Sequence, residues 1–254
     1  MNIAIITGAS SGIGREFAYQ LRNVKQLQID ELWLIARRKE RLEALADAIN
    51  IPTRILSMNL TEDEMIQSFQ DILEQEKPSI QLLINCAGFG LLGKFRELDL
   101  NEQLGMIDVN CKALTKITYF CIPYMARKSH IIQMASSAAF LPQPNFAIYA
   151  ATKSYVLSLS YALGEELRKE EISVTAVCPG PVKTEFFATA EKYGSNMAVK
   201  QLTSVEAPGV VRAALKATYH RKTISVYSPF IKLFHLMTKI VPLKWILIIL
   251  RTIK

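Results

Sequence analysis

After Glu206 the chain contains no aspartate or glutamate, yet Arg212, Lys216, Arg221, Lys222, Lys232, Lys239, Lys244, Arg251 and Lys254 all follow it. The first 206 residues hold 21 basic and 23 acidic side chains, so the net charge of +7 belongs to the C-terminal part alone. Cysteine is scarce. Cys86, Cys111, Cys121 and Cys178 have no C-x-x-C spacing and no histidine partners, which argues against a zinc site, any other metal site and a disulfide framework. They read as small buried hydrophobes of a reducing compartment. The tail has no uncharged apolar run longer than six residues, far from the roughly 20 that span a bilayer. The first strand begins at Asn2, leaving no room before it for a secretory signal, so the expected location is cytoplasmic. There is no internal repeat or low-complexity linker, and 254 residues suit one α/β domain with a substantial core.

What is present is an alternation of strands and helices. Asn2–Thr7, Glu31–Ala36 and Thr53–Met58 read as strands, with helices from Gly12 to about Asn23 and from Lys39 to Ile49. Continuous apolar strands between helices predict a parallel sheet covered on both faces, a doubly wound α/β fold of Rossmann type. Thr61 and Glu64 have capping-box spacing ahead of a helix to about Glu76. Ile80–Ile84 is the next strand, 103–127 a long helix, Ile131–Ala135 a strand and Tyr149–Leu167 a helix. A strand at Val174–Cys178, a helix from Glu206 to about Tyr219 and a strand at Thr223–Tyr227 complete the body.

Three stretches carry chemistry. Thr7-Gly8-Ala9-Ser10-Ser11-Gly12-Ile13-Gly14 follows the first strand and opens a helix, so backbone N–H groups there can approach a pyrophosphate. Tyr149 and Lys153, four residues apart, share one helix face. A free phenol titrates near 10, so acid/base work at neutral pH asks for roughly 4 kcal/mol of phenolate stabilisation, which a lysine one turn away can help to supply. Ser136, at the end of an apolar strand, offers a hydroxyl to polarise an oxygen on which the tyrosine acts.

With these motifs in this order, the chain resembles the short-chain dehydrogenase/reductase (SDR) family from Asn2 to about Tyr227. The resemblance implies hydride transfer between a nicotinamide and a carbonyl or secondary alcohol, with Asn110, Ser136, Tyr149 and Lys153 as the catalytic set. Ser137 is the fallback for the serine. It further implies cofactor contacts from Gly8, Ser10, Ser11, Gly12, Ile13, Gly14, Arg37, Asn59, Leu60, Asn85, Ala87, Gly88, Pro179, Gly180, Val182 and Thr184, as well as from Tyr149 and Lys153. Asn59 would meet adenine. Val182 and Thr184 would meet the carboxamide, with helix capping the competing role for Thr184. Cys86 departs from the family's Asn-Asn-Ala-Gly pattern. No acid follows the second strand; Arg37 there favours NADP(H), with NAD(H) the alternative. The competing explanation for Arg37 and Arg38 is a pair of solvated loop charges. Residues 185–205, with Phe186, Phe187 and Met197, fall where the family places a substrate lid, which suggests a substrate with an apolar portion. Helices 103–127 and 149–169 are the family's usual dimerisation elements, so a homo-oligomer, dimer or tetramer, is expected.

The tail lies outside this resemblance. We divide the chain into a domain at 1–228 and a basic, apolar C-terminal extension at 229–254, broken into two short helices at Pro242. Its composition fits an interfacial helix on an anionic membrane surface, with packing on the body or on a partner subunit as the competing explanation. Nucleic acid is not expected as a partner. The alternative to an enzyme is a regulatory or membrane-surface interaction protein that keeps the fold.

Overall fold

The computed structural model describes residues 1–22, 24, 28–193 and 204–252. Its centre is a seven-stranded sheet: β1 (Asn2–Thr7), β2 (Glu31–Ala36), β3 (Thr53–Ser57), β4 (Ser79–Asn85), β5 (Met125–Met134), β6 (Ser173–Val177) and β7 (Ile224–Ser225). The strand order is β3-β2-β1-β4-β5-β6-β7, and every pairing is parallel. The order reverses beside β1, between β1 and β4, which is where a doubly wound sheet leaves a crevice at the carboxyl ends of its strands.

Side-chain alternation along the strands sorts the core into two layers. Ala4, Ile6, Leu32, Leu34, Leu82 and Ile84 face α1 (Gly12–Leu21), α2 (Lys39–Ile49) and a later helix, Ala207–Tyr219, through Phe17, Leu42, Leu45, Val211 and Ala214. Ile3, Ile5, Trp33, Ile35, Leu83 and Ile131 face α3 (Asp63–Glu76) and the helix Leu114–Cys121 through Ile66, Phe69, Leu73 and Ile117. Strands buried on both faces have no polar side to show in sequence, which is why they read as unbroken apolar runs.

The long helix expected at 103–127 is instead three pieces ending six residues sooner. α4 (Leu100–Ile107) starts where the Asp99 carboxylate accepts the Glu102 N–H at 3.0 Å. A π-helical turn, Asp108–Ala113, leads into α5 (Leu114–Cys121), and a 3-10 turn containing Pro123 stops the helix, so residues 125–127 belong to β5. The Thr61 capping box does not form either. Thr61 Oγ1 donates to Asn59 Oδ1 at 3.0 Å, and α3 begins at Asp63 with no side-chain cap.

Beyond β5, α6 (Ala147–Glu166) precedes β6, and α7 (Phe186–Ala190) follows it. The chain continues with α8 (Ala207–Tyr219), β7, α9 (Pro229–Ile240) and α10 (Leu243–Thr252), Pro242 falling between the last two helices. The final strand is two residues, shorter than the predicted Thr223–Tyr227. The expected helix end at Asn23, ten residues of the expected lid (194–203, with Met197) and Lys254 lie outside the described residues.

Candidate active site

The carboxyl ends of the strands open into one cleft of about 790 Å³, within the range of ligand sites. Its floor is the turn after β1. Gly8 has φ +69°, and a Cβ there would lie 2.7 Å from the Ala87 backbone nitrogen. A Cβ on Gly14 would lie 2.3 Å from the Gly8 carbonyl oxygen, so the start of α1 sits directly on the turn. Thr7 Oγ1 accepts the N–H groups of Cys86 at 3.0 Å and Ala87 at 3.1 Å, tying the loop after β4 to the end of β1. Ser11 is the N-cap of α1 but makes no side-chain cap bond, leaving the positive end of the helix facing the cleft.

Above the turn, Ser136, Tyr149 and Lys153 all line the cleft. Ser136 leaves the end of β5, where its Oγ accepts the Ala138 N–H at 3.1 Å. Tyr149 and Lys153 stand one turn apart on α6, both buried. Phe146 stacks on the Tyr149 ring at 4.3 Å and Phe186 tilts against it at 5.4 Å. This burial pushes the phenol up to about 12, an effect opposed by the neighbouring Ser136 hydroxyl and reinforced by Cys178. Burial brings the Lys153 ammonium down to about 8. Its Nζ donates to the Met134 carbonyl at 2.7 Å and lies 5.7 Å from the Tyr149 ring centre. The phenol is thus raised by burial, opposite to the lowering expected from a lysine one turn away, and Lys153 is not among the groups that shift it.

Two expected site residues stand behind the wall and not on it. Asn110 is fully buried in the π-helical turn. Its Nδ2 donates to the Phe89 carbonyl at 2.9 Å and to Thr152 Oγ1 at 3.0 Å, while its Oδ1 accepts the Phe89 N–H at 3.1 Å. Its side chain is consumed in holding the loop after β4 against α6. Asn85 points to the α5 side of the sheet, where Nδ2 donates to Thr118 Oγ1 at 2.9 Å, so it does not contribute a side chain to the cleft. The other expected cofactor residues, from Gly8 through Thr184, line it. Thr184 also accepts the Phe186 N–H at 3.3 Å, one residue ahead of Glu185, which is the N-cap of α7 and makes no side-chain cap bond.

Sequence reasoning passed over three contributions. Arg38, not among the expected cofactor residues, donates from Nη2 to Ser11 Oγ at 2.9 Å and from Nε to Ser10 Oγ at 3.3 Å. Glu185, ahead of α7, pairs with Arg38 at 3.0 Å and Arg41 at 2.6 Å, which holds its carboxyl below the usual range. Phe230, Ile231 and Phe234 of α9 also line the cleft. Ile231 is buried over Gly180, where a Cβ would come within 2.8 Å of it. The signal for α9 was in the sequence: Ile231, Phe234, His235 and Thr238 repeat at helical spacing and are its less exposed positions.

The sequence profile described as short chain dehydrogenase matches residues 2–193. An uncharacterised oxidoreductase of Staphylococcus epidermidis is 32% identical over 184 residues, covering 72% of this chain and 78% of that protein. Among solved structures, a short-chain dehydrogenase from Sphingobium yanoikuyae in complex with NADPH superposes with a TM-score of 0.78 at 29% identity, covering 89% of this chain and 87% of the other. A bulky-bulky ketone specific alcohol dehydrogenase from Comamonas testosteroni gives a TM-score of 0.74 at 25% identity, covering 89% and 86%. The chain belongs to the short-chain dehydrogenase family. It is thus an oxidoreductase acting at the CH–OH/C=O level.

Proposed function

We propose that the protein is an NADP(H)-dependent oxidoreductase that interconverts a carbonyl and a secondary alcohol on a substrate with an apolar portion. The observation that carries this reading is the convergence of Ser136, Tyr149 and Lys153 in the cleft that begins at the glycine turn. The residues fit a dinucleotide: two glycines leave no room for side chains where the turn meets its neighbours, and the uncapped end of α1 suits a pyrophosphate. When bound, the nicotinamide supplies or accepts the hydride. Arg37 and Arg38 at the end of β2, with no acid at that strand end in the sequence, support NADP(H) over NAD(H) through charge-assisted bonds to a 2'-phosphate.

In the reducing direction, Ser136 donates a hydrogen bond to the substrate carbonyl oxygen and Tyr149 gives it a proton. A phenol held near 12 keeps its proton until an oxygen with developing alkoxide character takes it. Lys153 keeps a positive charge behind the phenol and would hold the nicotinamide ribose. Asn110 braces the loop and the helix that present these groups. Phe146, Phe186, Phe187 and Phe230 give the substrate end of the cleft an apolar lining. The ketone specificity of the Comamonas relative is consistent with room for a bulky group.

The same reading includes a homo-oligomer formed through α4, α5 and α6, where Leu104, Ile107, Tyr119 and Tyr155 are exposed. It also includes contact between the tail and an anionic membrane surface, supported by the exposed apolar and basic residues of α9 and α10. No helix among the described residues is long and apolar enough to cross a membrane. The four free cysteines suit the cytoplasm. The test is to follow NADPH and NADH absorbance with purified protein against a panel of ketones and aldehydes. Cofactor-dependent turnover with NADPH preferred is expected; binding of NADPH with no turnover across the panel would leave a cofactor-binding protein without this activity.

A further inference from the structure

We propose that α9 makes the active-site cleft open onto an anionic lipid surface, so that the enzyme takes an apolar, long-chain carbonyl or alcohol directly from the membrane. This rests on the oxidoreductase reading and on the membrane contact proposed above. One face of α9 is part of the site: Ile231 is buried over Gly180, Phe234 is half-buried in the cleft wall, and His235 stacks on Phe140 at 4.1 Å. The other face is equally apolar and uncovered among the described residues. Leu233 is 59% exposed and Ile240 68%, with Leu236 and Met237 also exposed between them. An apolar arc of this width on an outer helix face ordinarily has a cover.

Phe230 joins the two faces. It lines the cleft and is 62% exposed, so it stands at the mouth, on the edge shared by the inner and outer arcs of the helix. At 3.6 residues per turn, Lys232 and Lys239 fall on the flank opposite Phe230. Lys244 and Trp245, 63% exposed, continue the pattern on α10. Lysines beside an apolar face, with no acid after Glu206, match an anionic lipid surface in charge and in chemistry. A helix seated this way puts the mouth at the level of the acyl chains, and a long-chain substrate would enter past Phe230 without crossing water.

The experiment compares butan-2-one with dodecan-2-one as substrates for the full chain with NADPH, free and with vesicles of phosphatidylcholine alone or mixed with phosphatidylglycerol. Each methylene adds about 0.8 kcal/mol toward an apolar phase, so dodecan-2-one resides in the bilayer and butan-2-one does not. Anionic vesicles should bind the protein and raise the dodecanone-to-butanone rate ratio about tenfold or more. The variant Lys232→Glu/Lys239→Glu/Lys244→Glu should lose binding and stimulation while keeping the butan-2-one rate. Vesicle binding with an unchanged or reduced dodecan-2-one rate would overturn this inference and leave the membrane contact standing. No vesicle binding would overturn both. Absence of turnover with either ketone would count against the inference as well as the site reading. A vesicle-independent dimer split by Leu233→Lys would assign the outer face to a second copy and overturn the proposal.

Discussion

Lys153 donates its hydrogen bond to the Met134 carbonyl at 2.7 Å, beneath the strand end that presents Ser136, and not to the phenol of Tyr149 one turn before it. The ammonium is therefore anchored to the sheet, and its effect on Tyr149 is one of position and field. Because the proposed chemistry needs an ionisable oxygen at 149, Tyr149→Phe should lower turnover about 100- to 10,000-fold with NADPH affinity nearly unchanged. Single-turnover rates and a fluorescence titration decide it; turnover comparable to the parent protein would remove Tyr149 from the mechanism.

Cofactor choice is tested at the end of β2. If Arg37 and Arg38 bind a 2'-phosphate, Arg37→Asp and Arg38→Asp should each weaken NADPH by about ten- to a hundredfold, the loss of a hydrogen bond to a charged group, and should affect NADH much less. Equal losses for the two cofactors in the same titration would mean that these are general surface charges.

Two glycines make a matched pair. Gly14→Ala would set a methyl 2.3 Å from the Gly8 carbonyl oxygen, a backbone atom with nowhere to go, so melting temperature and NADPH binding should both fall. Gly105→Ala, inside α4 with Phe89 Cζ at 3.5 Å as its nearest neighbour, should be neutral or stabilise by up to about 1 kcal/mol. Normal NADPH affinity in the Gly14 variant would show that the turn does not hold the cofactor.

His130 should give the fold an acid-sensitive edge. It is buried on β5, with Nδ1 2.6 Å from Ser173 Oγ and its ring edge-on to Tyr219, and burial together with Arg221 brings it down to about 4. The folded state thus resists a proton that the unfolded chain accepts below about 6.5. Stability is unaffected by this group above that value and is lost as pH falls from about 6.5 toward 4, by about 2 to 3 kcal/mol in all. Urea unfolding near pH 7 and near pH 4.5 should show that loss in the parent protein and a smaller one in His130→Gln; identical losses would mean that other groups set the acid limit.

The parts of the site legible in sequence were those specified locally. The glycine turn, the Tyr149–Lys153 spacing and the end of β5 each need only a few consecutive residues to define a shape, and so do the apolar strands. Other features depend on choices that a short window does not contain. Arg37 and Arg38 are neighbours, and which one crosses to the glycine turn is decided by the backbone at Arg38, extended at φ −91° and ψ 93°. Asn85 occupies the last position of β4, where alternation sends its side chain toward Thr118. The π-helical turn adds a residue to one turn, a change invisible to a pattern averaged over the whole helix. α9 meets Gly180 across some fifty residues of chain, so its part in the cleft became visible only when the fold was assembled.

Glu185 reaches Arg38 and Arg41 on one side and begins α7 on the other, and the far end of that short helix is tied to α4 through Lys192 and Tyr193 on Glu102. Each exposed pair contributes little by itself. Their consequence is for redesign: the residue that would be recharged to change the proposed cofactor preference also tethers α7, whose Phe186 packs against Tyr149 in the cleft. A swap at Arg38 meant to retune one preference would disturb the other, and compensation would have to be sought at Glu185, more than 140 residues away in the chain.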